Sequence, residues 1–89
     1  MTGDTTARVA EPLFELAGIS EGYDRHEVEI FLEDVLAELE GELPNPALAQ
    51  RIHEVMFTPV RFRRGYVMTA VDEALDELEV LASQGRPDA

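Results

Sequence analysis

The residues in this chain whose spacing could do chemistry are carboxylates one helical turn apart: Glu29 and Glu33, Asp72 and Asp76, Glu73 and Glu77. Residues at i and i+4 share a helix face. Such a pair does acid–base work only where a buried site splits the two pKa values. On an open helix it is solvated surface, and 19 acidic residues in 89 make such pairs common. His26 and His53 have no Cys or second His at ligand spacing, so they read as surface or cap histidines. There is no Gly-rich phosphate loop, no nucleophile beside a base and no EF-hand loop. Cysteine is absent, which removes thiolate zinc sites and disulfides. The expectation is a non-enzymatic chain with no catalytic residue, no metal and no cofactor.

The elements that would position any working surface are helices. The composition is 45% hydrophobic, enough for a folded core, with a formal net charge of −12. That field opposes direct binding to nucleic acid or anionic lipid and favours basic partners. No secretory or membrane-spanning run is present, so a cytoplasmic location is expected.

Asp24 and Glu27 have capping-box spacing at the start of a helix over 24–40, with Glu27 expected to reach back to the cap. Val28, Phe31, Leu32, Val35, Leu36 and Leu39 form its apolar stripe. Gly41 and Leu43-Pro44-Asn45-Pro46 end it. Asn45 as cap and Pro46 at the first turn open another helix, with Leu48, Ile52, Val55 and Met56 inward and an end near Phe57, before Pro59. Residues 60–65 read as an extended or turning connection. The last helix is expected over 69–82, with Val71, Leu75, Leu78 and Ala82 inward. A further helix over 5–16, interrupted at Pro12, is also expected.

A shift of 43 residues superimposes much of the chain on itself, with no gap from the two Phe positions to the ends of the helices. Phe14 falls on Phe57, Gly22-Tyr23 on Gly65-Tyr66, Val28 on Val71 and Leu32 on Leu75, with acids on acids at Glu29/Asp72 and Glu33/Asp76. Leu and Glu coincidences are cheap between amphipathic helices; the recurrence of F-x7-G-Y-x4-V-x3-L is not. The predicted fold is mainly α: two pseudo-repeated helix–hook–helix units, 1–43 and 44–89, packed as one small helical domain, with short extended segments before each Gly-Tyr. Neither half is expected to bury its face alone. Glycine before each Tyr is read as permitting a sharp turn, and Tyr as packing over the helix start with its hydroxyl near water.

The run Phe57-Thr-Pro-Val-Arg-Phe-Arg-Arg-Gly-Tyr66, then Val71-Asp72 and Leu75, resembles the DivIVA domain; Gly22-Tyr23-Asp24, Glu27-Val28-Glu29 and Phe31-Leu32 match the later part of the same pattern. Repeated versions of the motif are familiar from actinobacteria, which suits a chain whose seven basic residues are all Arg. The resemblance implies a scaffold or adaptor of division or polar-growth proteins that dimerises, associates with membranes and recruits partners. It also implies that the positions before Gly-Tyr touch lipid, here Arg63 and Arg64 with Phe62 preceding. The chain departs from the family at Val67, which replaces the capping Asp and suggests a later helix start at Thr69. It departs again at Ala74, and it lacks a long heptad region.

Arg61, Phe62, Arg63 and Arg64 are therefore the candidate interaction residues. Three Arg at a membrane contribute about 3 kcal/mol, which corresponds to a Kd weaker than millimolar. The patch is expected to act in protein contacts, or to pair with acidic helices of its own fold. The expected function is a protein–protein adaptor, expected as a homodimer because its apolar stripes exceed what one thin core covers. Alternatives are a peripheral membrane module using the Phe62–Arg64 hook, and an acidic neutraliser of a basic partner, antitoxin-like or mimicking nucleic acid.

Overall fold

The Asp24 and Asn45 helix caps read from the sequence are met at the atomic level. In the computed structural model, which describes residues 12–18, 20–61 and 64–85, α1 spans Arg25–Leu39, α2 Pro46–Glu54 and α3 Met68–Gln84. Asp24 accepts from the Glu27 amide at 3.1 Å, and Asn45 accepts from the Leu48 amide at 3.0 Å. Two short strands, β1 (Gly22–Tyr23) and β2 (Pro59–Val60), pair antiparallel.

The chain is mainly helical, and its extended segments take the places the repeat implies. The pairing follows the 43-residue shift, but between repeats. Gly22 faces Val60 and Tyr23 faces Pro59; at the equivalent positions Leu16 bridges Tyr66, and the Ala17 amide donates to the Gly65 carbonyl at 2.8 Å. The Asp24 amide donates to the Thr58 carbonyl at 2.9 Å, and its equivalent, Val67, donates to Glu15 at 2.8 Å. Where the two halves meet, Tyr23 and Tyr66 exchange both backbone hydrogen bonds at 2.9 Å. A pseudo-two-fold axis therefore runs between the two Gly-Tyr dipeptides, and the hook of each repeat is completed by the other.

The core forms one cluster. Val28, Leu32, Val35 and Leu39 of α1 join Leu48, Ala49 and Ile52 of α2, Val71, Leu75 and Ala82 of α3, and Tyr66. The α2 helix packs against α3, and the Asn45 amide at its base donates to the Ala82 carbonyl at 2.7 Å.

Several sequence expectations are corrected. Residues 12–16, assigned to a first helix, are not helical: Leu16 is in the bridge to Tyr66, and an extended backbone is what lets it pair. The rest of that expected helix lies outside the described residues. The second helix ends at Glu54, not near Phe57, because Val55 is already extended ahead of the 58–60 pairing. Met56 is consequently 89% exposed instead of inward, and Leu36, at the edge of the α1 stripe, is 54% exposed.

Helix α3 starts at Met68 and not at Thr69, in register with Arg25 of α1, and it runs on to Gln84. Val67 adopts φ −58 and ψ 124, nearly the angles of Asp24 (−57, 121), but supplies no side-chain cap. The pairing with Glu15 sets the start that the missing cap does not. Val67→Asp should therefore add a cap on a backbone already shaped for it, raising stability by about 0.5–1 kcal/mol. A higher urea midpoint with an unchanged denaturant slope checks this.

Candidate interaction surface

The repeat motif is a set of contacts across the pseudo-axis. Phe14 meets Tyr66 edge-on at 5.2 Å between ring centroids, and Phe57 meets Tyr23 at 5.4 Å. The Tyr23 hydroxyl donates to Asp72 at 2.9 Å, and the Tyr66 hydroxyl donates to Glu29, the equivalent acid. Tyr66 also accepts from the Leu13 amide at 2.9 Å, and the Arg25 guanidinium stands 5.3 Å from its ring centre while pairing with Glu29 at 3.3 Å. Burial first, then the facing carboxylate, holds both phenols above their ordinary pKa. Tyr66 is fully buried, so its hydroxyl is not left near water as the sequence suggested.

The glycines are also explained differently. Neither Gly22 nor Gly65 has a positive φ. A Cβ on Gly22 would lie 2.7 Å from the Tyr66 carbonyl oxygen, and one on Gly65 would lie 2.8 Å from that of Tyr23. Close approach of two backbones, and not a sharp turn, demands glycine at both places.

These contacts settle the use of two of the acids raised as candidate chemistry. Glu29 and Asp72 are tyrosine acceptors across the axis. Glu27 does not reach back to its cap; its carboxylate takes the Thr58 amide at 2.7 Å and the Thr58 hydroxyl at 2.9 Å, because the Asp24 amide is already spent on Thr58. His26 is exposed, and His53 pairs with Glu79 at 3.2 Å. Among the described residues no three His, Cys, Asp or Glu are grouped to hold a metal, and no helix is long and apolar enough to cross a membrane.

Of the candidate interaction residues, Phe62 and Arg63 lie outside the described residues. Arg61 and Arg64 are exposed, and neither forms an ion pair with a described residue. The arginine that does bridge acidic groups is Arg51, which reaches from α2 to Asp34 and Glu38 of α1. Sequence reasoning passed over Arg25 and Arg51, although Arg25 lies on the acid-rich α1 and Arg51 faces its acids from α2.

An open apolar groove lies elsewhere. With a volume of about 830 Å³, it runs between α1 and residues 55–58. Ile30, Phe31 and Ala37 of α1 and Val55, Met56 and Phe57 opposite give it apolar walls, and Glu27, Glu33 and Asp34 edge it. Ile30 is 53% exposed. Phe31 is held by Phe57 at 5.7 Å between centroids. The equivalents under the repeat shift are Glu73 for Ile30 and Ala74 for Phe31; Phe31 also packs against the core, whereas Ile30 is the half-exposed apolar residue that α3 replaces with an acid.

Comparison with protein-family models, curated proteins and solved structures gives no match. The likeness to the DivIVA domain rests on the Gly-Tyr motif.

Proposed function

We propose that the chain is a non-enzymatic protein–protein adaptor of DivIVA-like type, whose two repeats make one folded unit and whose docking face is the groove on α1. The observation that carries this is the broken symmetry at Ile30. Phe31 packs on Phe57 and the core, but Ile30 is half exposed where its equivalent on α3 is the acid Glu73. Keeping a half-exposed Ile on one helix and Glu on the other therefore supports a task that one face has and the other lacks. Each repeat already supplies the other with the pairing that a second copy would bring to a homodimer, so the proposed unit is a single chain.

Ile30→Glu, at a half-exposed position, should leave helicity and unfolding midpoint nearly unchanged, since surface changes usually stay within about 0.5 kcal/mol. In a crosslinked pull-down from the native host it should lose the principal partner of the wild type. An identical partner set from both proteins would refute the reading.

A second surface is supported by Arg61 and Arg64, the exposed cations without a described ion-pair partner. They suit an acidic protein face better than lipid, given the charge of the whole chain. Flotation with anionic liposomes separates the two.

A further inference from the structure

Building on the adaptor reading, we infer that the α1 groove accepts an amphipathic helix of another protein, with an apolar stripe along its centre and Arg or Lys on its flanks. The floor comes first. Ile30, Phe31 and Ala37, with Glu27 and Asp34 along the edge, follow one another at helical spacing, a ridge of about three turns and about 15 Å at 1.5 Å per residue. Ridges of this spacing pack against the grooves of a facing helix. Ala37 lets the incoming backbone come close, and Met56, unbranched and 89% exposed, can shape itself to an apolar stripe.

An added strand is less well served. The Thr58 amide is held by Glu27, and its carbonyl is held by Asp24, so the edge at that end of the groove is already paired.

Charge decides which helix. Glu33 has no partner among the described residues, the Glu27 carboxylate is hydrogen-bonded to the neutral donors of Thr58 and keeps its charge, and Asp34 shares Arg51 with Glu38. The rim therefore stays acidic on a chain of net charge −12. A second copy laid in the groove would bring the same sign to the same rim, and like charges placed opposite each other are unfavourable. Basic flanks on the incoming helix satisfy rim and floor together, as in other helix-in-groove recognition.

The test uses the full chain and synthetic peptides. One peptide is a helix former with Leu at i, i+3, i+4 and i+7 and Arg on the flanks. A second replaces Arg with Glu, and a third keeps the Arg but scatters the Leu. Calorimetric titration should give saturable binding of the first, at least about tenfold tighter than either control, a gap of 1.4 kcal/mol.

Ile30→Glu and Met56→Glu should each weaken that binding about tenfold or more, although each adds a negative charge. Thr69→Glu, which adds the same charge on α3 away from the groove, should not weaken it. The opposed signs separate docking from general attraction. Binding that survives or strengthens in Ile30→Glu, or equal affinity for the scattered peptide, would overturn the inference. So would micromolar dimerisation abolished by Ile30→Glu, which would assign the groove to a second copy. If the native partner is lost from Ile30→Glu but docks through an acidic or non-helical segment, the adaptor reading stands and this inference fails.

Discussion

Residues 1–43 and 44–89, made as two separate chains, should each lack a cooperative unfolding transition as a monomer, and mixing them in equal amounts should restore one. The expectation follows from where the contacts go. In the isolated second half, Phe57 would lose Tyr23, Val60 would lose Gly22, and the Thr58 carbonyl would lose the Asp24 amide. Tyr66, fully buried in the intact chain, would lose Phe14, Glu29 and the Leu13 amide together. Truncating a single buried aromatic costs about 3–5 kcal/mol, and a chain of this length has roughly 4–13 kcal/mol in all. Losing both hooks at once exceeds what either half could retain. Far-ultraviolet circular dichroism of each half and of the mixture reads the result. A half that melts cooperatively while sedimenting as a monomer would show that the repeats fold independently and only touch.

Adding a side chain at either paired glycine should be nearly as damaging. At Gly65 the new Cβ would meet Val60 Cγ2 at 2.7 Å and the Tyr23 carbonyl oxygen at 2.8 Å; at Gly22 it would meet the Tyr66 carbonyl oxygen at 2.7 Å and the Ala17 Cβ at 3.0 Å. Two of these neighbours are backbone atoms in the reciprocal Tyr23–Tyr66 pair, so they cannot step aside without breaking it. Overpacking of this kind costs about 1–3 kcal/mol. Each broken hydrogen bond adds about 1 kcal/mol, so Gly22→Val or Gly65→Val should lose on the order of 3 kcal/mol or more.

The glycines elsewhere serve as controls. Gly41 has only the Glu38 carbonyl at 3.4 Å, and Gly41→Ala should stay within about 0.5 kcal/mol. Gly18 has open space but φ +69, so Gly18→Ala should cost about 1–2 kcal/mol from backbone conformation alone. Urea unfolding of the four variants orders them. If Gly22→Val proved as mild as Gly41→Ala, the close approach of the two dipeptides would not be what holds the halves together.

The features that the sequence determined by itself are those set by neighbours in the chain. The stripe at Val28, Leu32, Val35 and Leu39 and the caps at Asp24 and Asn45 depend on residues three or four positions apart, and each is found where its spacing put it. The 43-residue register likewise identified which positions are equivalent, down to Tyr23 with Tyr66 and Glu29 with Asp72.

Equivalence does not say what pairs with what. A two-residue strand has no alternation to read, so the sequence could not show that Gly22-Tyr23 pairs with the other repeat, or that glycine is there to admit a second backbone. The same gap misplaced Met56 and Leu36: periodicity assigns a face to the core, but only the path of Val55 to Val60 across the axis decides where the core ends. The groove became legible once that path was known, because it lies between a helix and a segment 25 residues later, from Ile30 to Val55. Tertiary structure decided these points because each is a contact between residues far apart in the chain. Local spacing fixes helices, but it leaves open which half of a duplicated chain completes the other.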